Sequence, residues 1–221
     1  MDSKSGFGVV FDLDGVLLDS LENMRHAWGK MPESLVGQIT FETFRTSIGL
    51  PFSEAMHSLG ILNEAEEVEE LFRAESNRAI DYQRLFDGVP SQLETLSKKG
   101  FRVALFTSKD CERTRIILDK FQLSFEHVLC PAEDLRGKPH PDQLFSLFES
   151  WDLSPDRICY FGDTIFDFEA AGAAGMEYFH CGWGYGDPPP GLGEDFTVLY
   201  PGEIATRASV WADRVDEKGT D

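Results

Sequence analysis

The sequence predicts an α/β fold: a doubly wound parallel sheet with an all-helical domain inserted after the first strand. Three observations predict it. Short apolar runs recur at residues 9–13, 103–107, 127–130, 158–161 and 177–181. Helical spacing of apolar residues fills the gaps between the last four, as a parallel sheet with crossover helices requires. The gap from Asp14 to Gly88 is far too long for one crossover, and a structureless loop of that length is improbable in a compact domain.

Taken in order, the first run, Val9-Val10-Phe11, ends in Asp12-Leu13-Asp14-Gly15-Val16. Strand side chains alternate faces, so Asp12 and Asp14 lean to the same side. Two carboxylates that close repel and raise each other's pKa unless a cation lies between them. After this, Leu21, Met24 and Trp28 form one helical stripe, and Ala55, Met56 and Leu59 another. Leu71, Phe72 and Ala79 lie in a Glu-rich stretch. Residues 18–85 are therefore expected to form the inserted helical domain, with 1–17 and 86–221 as the core and linkers near 17–20 and 86–90.

Beyond Gly88-Val89-Pro90, Leu93 and Leu96 sit one turn apart. Lys98 and Lys99 suit the last turn of that helix and Gly100 its cap. Ile116, Ile117 and Phe121 predict the next helix, and Leu144, Leu147 and Phe148 the one after. Arg214 to Asp221 is expected to be a frayed tail.

Composition limits function. Among 221 residues, 42% are hydrophobic and 12% aromatic, which fits a globular protein. The net charge of −19 excludes nucleic-acid binding through a basic surface, and a site for anionic phosphate must bring its own positive charge. No run approaches the ~20 apolar residues of a membrane span. Met1-Asp2-Ser3-Lys4-Ser5 lacks the pattern of a secretory signal. Cys111, Cys130, Cys159 and Cys181 form no CxxC pair, so buried reduced thiols in a cytoplasmic protein are expected, rather than a disulfide or zinc site.

Four islands carry chemistry, each where a strand ends. In Asp12-x-Asp14-Gly15 one carboxylate can attack phosphorus and the other can protonate the leaving oxygen. The ligands of a calcium loop are missing from residues 16–20. Thr107-Ser108 offers a hydroxyl and free N–H groups to an anion, although taken alone it reads as an ordinary N-cap. Lys138, held in Gly137-Lys138-Pro139-His140-Pro141-Asp142, can neutralise phosphate and orient a nucleophile; His140 reads as structural. In Gly162-Asp163-Thr164-Ile165-Phe166-Asp167 the two aspartates share a helix face. All four islands should converge on one edge of the sheet. Magnesium prefers hard oxygen ligands. Asp12, the Asp14 backbone carbonyl and Asp163 could supply three, with Asp167 holding a metal-bound water.

The set Phe11-Asp12-Leu13-Asp14-Gly15-Val16, Thr107-Ser108, Lys138-Pro139 and Gly162-Asp163-Thr164 with Asp167 resembles the haloacid dehalogenase superfamily, over nearly the whole chain. The resemblance implies a Rossmann-like core under a helical (C1-type) cap that closes over substrate. It further implies Asp12 as nucleophile, Asp14 as general acid/base, Thr107 and Lys138 as phosphate ligands, and Asp163 completing a Mg²⁺ site. Asp14 sets the chain apart from the family's dehalogenases. Met24 and Phe52 stand where β-phosphoglucomutases carry a histidine and an arginine. Lys138-Pro139-His140-Pro141-Asp142 and Trp183-Gly184-Tyr185-Gly186 are similar to the phosphoglycolate-phosphatase-like group. The stretch from Phe41 to Phe52 is similar to phosphatases of aminohydroxybenzoate antibiotic pathways.

The resulting expectation is a Mg²⁺-dependent phosphatase acting on a small phosphorylated metabolite through an aspartyl-phosphate, as monomer or homodimer, with no nucleic-acid or membrane partner. Ser108, Arg45, Phe52 and Met56 are the candidate substrate-binding residues. The competing expectations are a β-phosphoglucomutase-like phosphotransferase and a non-catalytic binding module on the same fold.

Overall fold

The computed structural model describes residues 4–132 and 134–218; Met1, Asp2 and Ser3, part of the N-terminal segment read above, lie outside them. The first strand, β1 (Gly8–Phe11), is buried along its length, as the centre of a parallel sheet must be. The chain then makes β2 (Leu18–Asp19) and five helices: α1 (Leu21–Trp28), α2 (Glu33–Val36), α3 (Phe41–Arg45), α4 (Phe52–Ser58) and α5 (Ala65–Arg78). It returns through β3 (Arg84–Leu85) and α6 (Val89–Lys99). Strands β4 (Arg102–Phe106), β5 (His127–Leu129), β6 (Ile158–Gly162) and β7 (Glu177–Cys181) follow, separated in turn by α7 (Cys111–Phe121), α8 (Asp142–Trp151) and α9 (Ile165–Ala174). A short β8 (Thr197–Val198) and α10 (Ile204–Lys218) end the described chain.

Six strands form one sheet in the order β5-β4-β1-β6-β7-β8, and every neighbouring pair is parallel. The protein is thus α/β, a parallel sheet flanked by helices. Alternation along β1 divides the core. Val9 and Phe11 pack with α6, α7 and α10, whereas Val10 packs with α8 and α9 on the other face. Because β1 lies between β4 and β6, the loops after all three open at the same sheet edge, where open α/β folds place their ligands.

The helices between β2 and β3 gather a separate apolar cluster of their own. Trp28 stacks on Phe44 with ring centroids 4.2 Å apart. The buried Asn23 amide donates to the carbonyls of Ser76 and Ala79, each at 2.8 Å, tying α1 to α5. Strands β2 and β3 pair antiparallel where the chain enters and leaves this helical cap.

Two expectations are corrected. Cys111 and Cys130 form a disulfide across a sequence separation of 19. Sequence spacing hid it because the proximity is made by the sheet: Phe106 and Leu129 are in register at the ends of β4 and β5, and the cysteines lie just beyond them. Cys159 and Cys181 are free and buried, as expected. The segment from Arg214 is not frayed: α10 runs to Lys218, held by Val215 against the core and by an Arg157–Asp216 ion pair at 3.1 Å. Gly219, Thr220 and Asp221 lie outside the described residues. No helix among the described residues is long and apolar enough to cross a membrane.

Candidate active site

Four loops at the carboxyl edge build the site. Asp12 directly follows β1, its backbone N–H donating to the Phe161 carbonyl at 3.0 Å, so the central strand pair fixes where its side chain begins. Lys138, fully buried, places its ammonium 2.5 Å from Asp12 Oδ1 and 2.6 Å from Asp167 Oδ1. The rings of Phe106 and Tyr160 lie 5.1 and 5.5 Å from that ammonium. A buried lysine this well paired keeps its charge: burial opposes it, but Asp12 and Asp167 outweigh burial and raise its pKa.

Asp167 is a hub. Its Oδ2 accepts from the backbone N–H groups of Asp163 and Thr164 at 3.2 and 2.9 Å, and from the Thr164 hydroxyl at 2.7 Å. Its Oδ1 accepts from Tyr160 at 2.7 Å as well as from Lys138. The Asp167 N–H donates in turn to the Thr164 hydroxyl at 3.4 Å, and with the Thr164 N–H bond to Asp167 Oδ2 this makes a capping box at the start of α9. Burial pushes its pKa up, yet Lys138 and the hydroxyl donors prevail and hold the carboxyl below the usual range.

Asp163 and Asp12 shift the other way. Burial, then Asp167 and Asp12, drive the Asp163 carboxyl well above its ordinary range. Asp12 rises from 3.8 to about 7, through burial partly offset by Lys138, with Asp167 and Asp14 adding to the rise. Asp163 Oδ2 accepts from the Tyr185 N–H at 2.6 Å, whereas its buried Oδ1 has no partner among the described residues. Carboxylate oxygens of Asp12, Asp163 and Asp167 lie within 4.8 Å of one another. A buried, unpaired carboxylate oxygen beside two further carboxylates fits a hard divalent cation, which would offset the burial and the repulsion that raise both pKa values. Gly15, at φ +88°, and Gly184 leave room for Asp163: a Cβ on either would collide with its side chain.

Asp14 is held at both carboxylate oxygens. The Ser20 hydroxyl donates to Oδ1 at 2.5 Å, and the buried Lys109 ammonium stands 3.0 Å from Oδ2. Thr107 is buried at the same edge. The Ser108 hydroxyl donates at 2.6 Å to the carbonyl of Gly49, in the cap. Asp12, Asp14, Thr107, Ser108 and Phe52 all line one cavity between cap and core. Arg45 donates to the Tyr185 carbonyl at 3.3 Å and lines a neighbouring cleft. Met56 is fully buried in the cap interior.

Sequence reasoning did not single out Lys109, Ser20, Tyr185 or Arg113. Lys109 adjoins Thr107-Ser108, and Tyr185 sits inside a motif already noted, so adjacency was the available signal. Tyr185 donates from its N–H to Asp163 and from its hydroxyl to the Leu18 carbonyl at 3.2 Å. Its hydroxyl also accepts from the Ser20 N–H at 2.6 Å. One residue thus joins the acidic cluster to the strand that enters the cap.

A parallel sheet with an acid cluster at its carboxyl edge, roofed by a helical insertion, defines a capped α/β architecture with a candidate metal centre. Residues 9–181 match the family described as haloacid dehalogenase-like hydrolase, and the chain belongs to that family. It is 30% identical over 220 residues to a phosphoglycolate phosphatase of Xylella fastidiosa, covering 92% of this chain and 93% of that protein. It is 31% identical over 182 residues to the tyrosine-protein kinase PtkA of Mycobacterium tuberculosis, covering 80% of this chain but only 62% of that protein. A solved hydrolase from Pseudomonas syringae superposes with a TM-score of 0.80 at 22% identity, covering 92% of this chain and 98% of that one; that likeness speaks for the fold.

Proposed function

We propose that this chain is a Mg²⁺-dependent phosphatase that hydrolyses a small phosphomonoester through an aspartyl-phosphate on Asp12, with residues 18–85 as cap and 1–17 and 86–221 as core. One observation carries the reading: Asp12 lines the cap–core cavity 2.5 Å from the Lys138 ammonium and within 4.8 Å of the Asp163 carboxylate, whose Oδ1 is unpartnered among the described residues. Asp12, Asp163 and the backbone at Asp14 would hold the cation, which supplies charge neutralisation for the transferring phosphoryl oxygens.

The chain's own residues do the rest. Lys138 holds Asp12 and neutralises an incoming phosphate oxygen. Asp12 attacks phosphorus as the ester bond breaks, and Asp14 gives the departing alkoxide its proton. Asp14 then takes a proton from the water that attacks the acyl phosphate, releasing phosphate and restoring Asp12. Thr107 and the N–H groups after β4 receive phosphate oxygens. The Ser108–Gly49 bond keeps the cap loop down, excluding bulk water.

The relatives support this reading unevenly. One is named a phosphoglycolate phosphatase and another an N-acetylmuramic acid 6-phosphate phosphatase, while the mycobacterial relative bears a kinase name. Product analysis separates the classes, since a phosphatase releases inorganic phosphate whereas a phosphotransferase passes it to an organic acceptor. With Mg²⁺ and propyl phosphate, the parent protein should release inorganic phosphate and Asp12→Asn should be slower by at least a thousandfold. Turnover by Asp12→Asn at the parent rate would overturn the mechanism.

A further inference from the structure

We propose that substrate selection lies with a core residue, Arg113, and that it favours a short leaving group with an apolar body and one carboxylate. This rests on the phosphatase reading and deepens it. The cavity above Asp12 and Asp14 measures ≈ 60 Å³, room for roughly four or five waters. The transferring phosphoryl group shares that small space, which favours a leaving group of only a few carbons over a bulky one.

The cap contributes no charged side chain to this cavity. Its wall is Met24, Phe44, Ile48, Leu50, Phe52 and Phe72, and the one hydroxyl there, on Ser47, donates to its own helix at the Phe44 carbonyl at 2.7 Å. A sugar-like polyol facing that wall would lose its water without gaining partners.

Charge enters the cavity from the core. Lys109 is committed to Asp14. Arg113, on the first turn of α7, is only 5% exposed. Its Nε is committed to Asp110, and its guanidinium lies 5.6 Å from the Phe72 ring centroid. Its two terminal amino groups make no hydrogen bond to any described residue, and the side chain lines the cavity. The fork formed by those two amino groups is open to the cavity and has donors to spare. A planar carboxylate matches that fork. Asp110 and Phe72 already hold the guanidinium plane, so little ordering remains when the acid arrives.

Four three-carbon phosphomonoesters separate the two parts of the claim. They are 3-phosphonooxypropanoate (acid, no hydroxyl), 3-phosphoglycerate (acid and hydroxyl), propyl phosphate (neither) and glycerol 1-phosphate (hydroxyls only). With Mg²⁺, kcat/KM should be highest for 3-phosphonooxypropanoate. Its advantage over 3-phosphoglycerate should be roughly 10- to 100-fold, the scale on which an apolar pocket rejects a hydroxyl. The acid-to-neutral ratio, 3-phosphonooxypropanoate over propyl phosphate, should be on the order of 10- to 100-fold, as a charge-assisted contact gives. In Arg113→Met that ratio should fall to near one, and in Arg113→Lys to an intermediate value. A merely structural role for Arg113 would lower both substrates together and leave the ratio intact, which would overturn the proposal. So would glycerol 1-phosphate matching 3-phosphonooxypropanoate in the parent protein, a result that needs no variant to fold. Release from none of the four removes the phosphatase reading itself, and this inference with it.

Discussion

Asp14 has each carboxylate oxygen held by a different part of the chain, Ser20 from the cap entrance and Lys109 from the loop after β4. If Asp14 is the general acid proposed above, holding both oxygens fixes the geometry in which it meets a leaving oxygen, and proton transfer rewards that positioning by ~10²–10⁴ in rate. Lys109→Met keeps the length of the side chain and removes the ion pair. It should lower kcat on propyl phosphate by roughly 10- to 100-fold with a smaller change in KM, measured by steady-state phosphate release; an unchanged kcat would show that Lys109 merely fills space. The acids themselves were legible in the sequence, because Asp12, Asp14, Asp163 and Asp167 sit in short local patterns at strand ends. Lys109, Ser20 and Arg113 were not. Each takes its meaning from a partner elsewhere: Asp14 for Ser20 and Lys109, and Phe72, across the cap boundary, for Arg113. Met56 shows the converse. Helical spacing puts it on the cap's apolar stripe, and only packing decides that it lies wholly inside the cap rather than on the cavity wall.

The loop after β7 wraps Asp163. Tyr185 donates to its carboxylate, and Gly184 passes so close that any Cβ would strike the Asp163 side chain. Gly184→Ala should therefore displace Asp163 without touching its chemistry. Calorimetric titration should show Mg²⁺ affinity falling by at least tenfold, while far-UV circular dichroism stays that of the parent. Retained affinity would mean that the loop yields instead of the acid. Elements were legible in proportion to their length and pattern. Strands β4 to β7 were read from sequence to within a residue or two. The two-residue strands β2 and β3 were not, for they are defined by pairing across the whole cap, Leu18 with Leu85 and Asp19 with Arg84. Within the cap, Asn23 is a polar residue in an apolar stripe, and its role follows from the two carbonyls it satisfies on the far side of the sequence. Asn23→Ala would take a donor from both carbonyls, of which Ala79's keeps the Tyr82 N–H at 3.0 Å, and would leave the buried Ser76 hydroxyl without its Asn23 acceptor, at about 1–3 kcal/mol in all. A lowered denaturant midpoint would report it.

At the scale of the whole molecule, cap and core meet through contacts that are individually weak. Ser108 reaches Gly49, Arg73 lies 3.6 Å from Asp110, and Lys120 lies 2.7 Å from Asp81. Beneath them the site gathers four carboxylates, Asp12, Asp14, Asp163 and Asp167, around the buried ammonium groups of Lys109 and Lys138. Asp12, with its pKa raised from 3.8 to about 7, and Asp163, raised by burial and its acidic neighbours, both bind protons more tightly in the folded chain than in the unfolded one. Without metal, Asp12's contribution to stability is fully present below about pH 4 and is lost as pH rises through about 7. A divalent cation binds the ionised form, so its stabilisation has the opposite sign of pH dependence and grows over the same window. The rise in Tm on adding 10 mM Mg²⁺ should be larger at pH 8 than at pH 5. Asp163→Asn should abolish most of that difference, because it removes the charge of the carboxylate whose buried Oδ1 has no partner among the described residues. An increment equal at both pH values would place the cation away from these carboxylates, and with it the charge on which Asp12 depends.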